Sequence, residues 1–303
     1  MSKVIDLPSD LTDSLKIADL LELTCLINED NNVSKSDLEQ ELRRSSVFDS
    51  PDNIQDEEIE KYCLKIFQEL EFRAKAAGKA YPFLIKSSLM CRIDNYSPLF
   101  CGYIFSLCLS YFGWKNTNTK KGKINPRLLF EELSGFAASA FIQGKIFLFG
   151  TSRLENNKKN IKSFKQAVEA LCKALDEGDG FREQDDLNKK DDKVDIVCYR
   201  DFQDERRGKL VLFGQCASGN NWRDKLSELM PDEFFAQWMK SGKISPLIKS
   251  FFTPHCIETK EWDYSARRGG ILFDRLRISY WIAKNPEFLS ISSKFETWIN
   301  TQF

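Results

Sequence analysis

The chain has 303 residues, 42% hydrophobic and 29% charged, the balance of a soluble globular protein with room for one or two domains. Its 44 Lys and Arg against 45 Asp and Glu leave a formal charge of −1, so a whole-molecule basic field for nucleic acid is excluded and any such contact must use local patches. Nine cysteines without a C-x-x-C pair argue against zinc and for reduced thiols, and the N-terminus lacks the apolar run of a secretory signal, which together point to the cytoplasm.

The first hundred residues read as helical. LTDSLKIADLLELTCLINED carries Leu and Ile at helical spacing, SKSDLEQELRR opens on a capping serine, and DEEIEKYCLKIFQELEFRAKAAG runs from acids to a glycine stop. SSVFDSPDN between them is turn-like, and AYPFLIKSSLMCRI predicts a short strand. NYSPLFCGYIFSLCLSYFGW, between Asp94 and Lys115, has no charge over twenty residues. That is about the length of a membrane span, but its Asn, Pro, Ser and Gly and its spread tyrosines favour a buried helix. TNTKKGKINP is a polar, basic loop, and the domain boundary falls within it: a helical N-terminal domain over 1–118 and a second domain over 119–303.

From there the elements alternate. RLLFEELSGFAASAFIQG predicts a helix, KIFLFG a strand, and NIKSFKQAVEALCKALDEGDG an amphipathic helix. VDIVCYR and KLVLFGQCA predict strands, NNWRDKLSEL and PDEFFAQWMKSG helices, SFFTPHCI a strand, and GILFDRLRISYWIAKN and PEFLSISSKFETWIN closing helices. The order α-β-(α)-β-β-α-β makes this an α/β protein with a mixed sheet flanked by helices. No internal repeat is visible.

Three polar residues stand out at the ends of these elements. Glu131 lies near the start of the first core helix, Asp195 inside the apolar VDIV, and Gln215 at the end of the apolar KLVLFG, with Lys225 a short loop and a turn beyond. A carboxylate in an apolar strand is expensive to bury unless a cation or partner compensates it. Two neighbouring strands offering oxygen ligands at one end can hold a divalent cation. The neutral readings stand beside these: Glu131 as a helix-dipole acid, Gln215 as a buried amide satisfying a loop, Lys225 as a surface lysine.

The arrangement resembles the restriction-endonuclease-like, or PD-(D/E)XK, nucleases over residues 125–260. The FE of LLFEELSG is similar to the helix motif, Asp195 to the motif aspartate, and Gln215 to the first position of a Q-x-K variant. The chain departs from the pattern at Ala217, where the family has lysine; Lys225 stands where a relocated lysine is found in some members. The resemblance implies a catalytic set of Glu131, Asp195, Gln215 and Lys225. It also implies Mg²⁺ or Mn²⁺ held by Asp195, Gln215 and the Cys216 carbonyl, with Asn220 and Asn221 turned towards a scissile phosphate. The activity so implied is metal-dependent DNA cleavage in a prokaryotic anti-phage or anti-plasmid system, beside an ATPase or helicase partner, with an oligomer possible. A nuclease fold that has lost catalysis and binds nucleic acid or scaffolds a partner is the alternative. A small-molecule enzyme on another α/β fold is a third reading, without a cofactor motif.

Arg206-Arg207, Arg267-Arg268, Lys120 and Lys121 in KKGK, and KKNIKSFK over 158–165 are candidate phosphate contacts, although charge runs are commonly solvated faces. The single histidine, His255, reads as structural, since no nucleophile accompanies it. No G-x-x-x-x-G-K-[ST] is present, which excludes a Walker-type ATPase.

Overall fold

A computed structural model describes residues 13–45, 52–114, 117–119, 122–149, 163–183 and 192–303. The chain opens with α1 (Ser14–Ile27), capped by the Asp13 carboxylate, then β1 (Asn32–Ser34) and α2 (Lys35–Arg44). Ser34 and Asp37 form a reciprocal capping box on α2, the signal visible in SKSD. After α3 (Asp52–Ala77), the segment expected as one strand is a hairpin, β2 (Phe83–Lys86) and β3 (Leu89–Arg92). Ser87 takes φ 50° and turns the chain there, and β1 pairs with β3 to complete a three-stranded antiparallel sheet.

The uncharged segment forms α4 (Phe100–Phe112), buried along most of its length. Among the described residues no helix is long and apolar enough to cross a membrane. The expected loop over 117–126 contains the small hairpin of β4 (Thr117–Thr119) and β5 (Gly122–Ile124). Lys120, Lys121 and residues 158–162 lie outside the described residues.

The elements that follow are α5 (Pro126–Ile142), β6 (Lys145–Leu148), α6 (Phe164–Leu175), β7 (Ile196–Arg200) and β8 (Leu210–Cys216). Then come α7 (Trp222–Lys225), α8 (Pro231–Trp238), β9 (Leu247–Phe252), α9 (Thr259–Gly269), β10 (Ile271–Phe273), α10 (Arg275–Ile282) and α11 (Phe288–Ile299). The five-stranded sheet has the order β10-β9-β8-β7-β6. β6, β7 and β8 are antiparallel neighbours, while β8–β9 and β9–β10 are parallel.

Strand alternation sorts the core. Ile196, Cys198 and Leu212 face α5 and the terminal helices, whereas Val197, Tyr199, Val211 and Phe213 face α6 and α8. Each central strand is therefore apolar on both faces, as a sheet covered by helices on both sides requires. Three expected boundaries moved for local reasons. β9 starts at Leu247 and stops before Pro254, which has no N–H to pair; the residues opening GILFDRL form β10, because Asp274 caps α10 by accepting from the Arg277 N–H; and the expected helix over 220–229 is only the single turn of α7. Helix α9 carried no sequence expectation.

One apolar cluster includes Ile17, Leu21, Phe67 and Phe105 together with Phe130, Leu276, Phe295 and Trp298, so both sides of position 118 share it. Within it sits a buried charge network. Arg275 donates to both oxygens of Asp19, at 2.8 and 2.7 Å, and Arg73 donates to Asp19 at 2.6 Å and Glu22 at 3.0 Å. Tyr81 and Tyr103 each donate to Glu22 at 2.8 Å. Burial opposes the Asp19 charge, but the two guanidiniums outweigh it and hold its pKa down at about 2. All nine cysteines are free, and seven of them are buried.

Removing one partner from such a network strands a buried charge, which is strongly destabilising. Arg275→Ala is expected to lower the unfolding free energy by about 3–5 kcal/mol in urea titrations. A loss below about 1 kcal/mol would show that Asp19 finds solvent once its partner is gone.

Candidate functional site

A cleft of about 450 Å³ opens at the end of the sheet where β8 ends and β7 begins. Its walls bring together Glu131, Asp195, Gln215, Cys216, Asn221 and Lys225, six of the residues singled out in the sequence.

Each is positioned by an element end. Asn125 caps α5 by accepting from the Arg127 N–H, Pro126 fixes its first turn, and Glu131 is buried beside Phe130 on the face turned to the sheet. Asp195 immediately precedes β7; its N–H donates to the Gly214 carbonyl and its carbonyl accepts from the Phe149 N–H. Its Oδ2 accepts from the Cys216 N–H at 2.7 Å, which ties the two strand ends across the cleft floor. Burial, with Asp195 and Glu131 nearby, pushes the Cys216 thiol well above its ordinary pKa.

Gln215 is 4% exposed. Its Nε2 donates to Glu228 Oε2 at 2.9 Å, while its Oε1 is buried without a hydrogen-bond partner. Glu228 was not singled out in the sequence; it lies on a turn after α7 and lines the same cleft, as does Lys193. Lys193 and its neighbour Asp192 take φ of 69° and 44°, and the Lys193 ammonium lies 3.2 Å from Glu228 Oε2. Two consecutive residues in the left-handed region are an unusual backbone, held here directly before the aspartate.

Lys225 ends α7, half-buried, and has no carboxylate within ion-pair distance among the described residues. Its ammonium is thus available to a ligand in the cleft in a way that the Lys193 ammonium is not. Ala217, which stands at the lysine position of a Q-x-K tripeptide, is buried with Trp222, Leu226, Phe251 and Leu272 in a small apolar cluster. An ammonium at 217 would be driven into that cluster rather than towards the cleft.

The other sequence candidates lie elsewhere. Asn220 is exposed and does not line the cleft. Arg206 and Arg207 sit in the β7–β8 connection, at the opposite end of these strands from Asp195 and Gln215, and Arg207 pairs with Asp179 at 2.8 Å. Arg268 donates to Ser227 and Tyr264, and Lys165 pairs with Glu183. The cleft has its own cations instead: Arg127, Lys193 and Lys225 face Glu131, Asp195 and Glu228. Arg127 also stacks on exposed Trp114, its guanidinium carbon 3.5 Å from the ring centre.

Among the described residues no three His, Cys, Asp or Glu side chains group as metal ligands. The donors that fit a cation here are two carboxylates and the unpartnered Gln215 oxygen. An all-oxygen set suits Mg²⁺ or Mn²⁺ rather than a thiolate-seeking metal.

His255 packs behind the site, its ring stacked on Trp222 at 6.5 Å between centroids. Burial, reinforced by Arg275, holds its pKa down at about 4. No protein-family profile, curated protein or solved structure matches the chain.

Since this is the only histidine in the sequence, its titration is directly readable. Its NMR signals are expected to stay those of a neutral ring from pH 7 downward, with a midpoint near 4. A midpoint near the ordinary value of about 6.5 would mean that water reaches the ring and that the Trp222 stack is open.

Proposed function

We propose that this chain is a metal-dependent nuclease acting on DNA, built on a variant of the restriction-endonuclease-like fold. The observation that carries the reading is the meeting of Glu131, Asp195, Gln215 and Lys225 in one cleft at the joined ends of β7 and β8. The order helix, strand, helix, two strands, two helices, strand from α5 to β9 supports it as well.

In this reading Asp195 and the Gln215 oxygen hold Mg²⁺ or Mn²⁺, with Glu131 as the acid on the facing helix. A cation bound there supplies charge stabilisation at the phosphate and a more acidic water. Lys225, without an ion pair among the described residues, donates to the phosphate oxygens as charge builds in the transition state, the role in which a preorganised donor is worth most. Asn221 offers its amide to the backbone of the strand, and Arg127 offers a second positive contact on the α5 side of the cleft. Water adds to phosphorus as the P–O bond to the leaving sugar breaks. The setting implied by the resemblance, prokaryotic defence beside an ATPase or helicase, belongs to the same proposal.

A second reading is a nuclease-fold subunit that binds nucleic acid without cutting it. Burial of Ala217 at the family's lysine position favours it.

Linear and supercoiled DNA, with RNA alongside, are expected to be cut in Mg²⁺ or Mn²⁺ and left intact in EDTA. Asp195→Ala should abolish cleavage, and Lys225→Ala should slow it by roughly 10²–10³-fold, as for loss of one transition-state donor. Cleavage that survives Asp195→Ala would overturn the assignment of this cleft. DNA binding without any cleavage would select the second reading.

A further inference from the structure

We infer that Glu228 is a positioning residue: it fixes the Gln215 carboxamide with its nitrogen towards Glu228 and its oxygen away from it, and so leaves that oxygen as a donor for a divalent cation. The inference rests on the cation site proposed above and adds the residue that orients one of its ligands.

A carboxamide has a donor end and an acceptor end, and the two are similar in shape. A carboxylate can only accept. Glu228 Oε2 lies 2.9 Å from one end of the Gln215 amide, so that end must be the NH₂ group. The oxygen is thereby committed to the opposite side, where it is buried and accepts nothing from the described residues. An unpaired buried carbonyl oxygen is costly and calls for a partner. In this cleft, beside Asp195 and Glu131, a cation is the partner that suits an oxygen.

Lys193 completes the device. Its ammonium, 3.2 Å from the same Glu228 oxygen, compensates the Glu228 charge. A neutral ligand at Gln215 is thus oriented by an anion that is itself already paired, much as outer carboxylates orient metal-ligating side chains elsewhere.

The test reads metal binding without turnover. Mn²⁺ binding is followed by loss of the free-ion EPR signal for the full chain and for Glu228→Ala, Glu228→Gln, Gln215→Ala and the double variant Glu228→Ala/Gln215→Ala. Thermal unfolding without metal checks that each variant is folded. Glu228→Ala is expected to weaken Mn²⁺ by roughly 10–100-fold, the range for loss of an orienting partner. Glu228→Gln, which can meet either end of the Gln215 amide and so no longer dictates its orientation, should weaken Mn²⁺ measurably but less than Glu228→Ala. In the Gln215→Ala background, Glu228→Ala should add almost nothing. Unchanged Mn²⁺ affinity in Glu228→Ala would overturn the inference, as would additive effects of Glu228 and Gln215. Absence of Mn²⁺ binding by the wild type would instead remove the cation site itself, and the inference with it.

Discussion

The pairing of Arg275 with Asp19 holds the molecule together across 256 residues of sequence. One guanidinium, fully buried, satisfies both oxygens of a carboxylate on α1, and its Nε donates to the Pro254 carbonyl just after β9. A charge so deep is tolerated because four of its five N–H groups are bonded, Ser110 taking one at 2.6 Å, and Glu22 lies 3.5 Å from the same guanidinium. The consequence reaches the cleft. The segment held by Arg275 carries His255, His255 lies under Trp222, and Trp222 opens the turn that ends in Lys225. The N-terminal helices are therefore part of the scaffold that aims the site.

Strand direction explains where the cleft lies. β8 is antiparallel to β7 and parallel to β9, so the end of β8 meets the beginning of β7, and the connections leaving them diverge. Gly214 permits this join. A Cβ at that position would come within 2.6 Å of Ile196 and 2.7 Å of Phe252, so the strands close tightly directly before the polar residues begin. Asp195 then reaches across to the Cys216 N–H rather than to solvent.

Much of this was legible in the sequence, and the reasons differ by residue. Asp195 and Gln215 announced themselves because each interrupts an apolar run of sequence, although Asp195 proved to stand just before β7, half-buried, rather than inside it. The layer structure followed from VDIVCYR and KLVLFG, whose unbroken hydrophobicity requires cover on both faces. β10 was hidden because ILF is three residues long and runs into a helix; only Asp274, read as a cap, separates them. Glu228 was hidden for another reason. It lies on a turn thirteen residues from Gln215, and no periodicity links a turn residue to a strand end. Arg206 and Arg207 attracted notice through charge alone, which says nothing of which end of a hairpin a residue occupies. Lys193 gave no signal either, since its aim depends on two left-handed residues in a row.

The cysteines carry a consequence of a different kind. Nucleophilic attack and oxidation begin from the thiolate, and burial keeps that form scarce here, with Cys63 and Cys108 held up at about 12 and Cys101 at about 11. Cys63 lies on α3, Cys108 on α4, Cys172 on α6, Cys198 on β7 and Cys256 beside the arginine network, so the thiols sample nearly every layer. In the closed molecule burial disfavours the thiolate at each of these five. Any event that parts the layers, whether thermal opening or the docking of another macromolecule, converts a local separation into a reactive sulfur at a known address. The fold thus carries a distributed record of where it has opened, written in its own side chains.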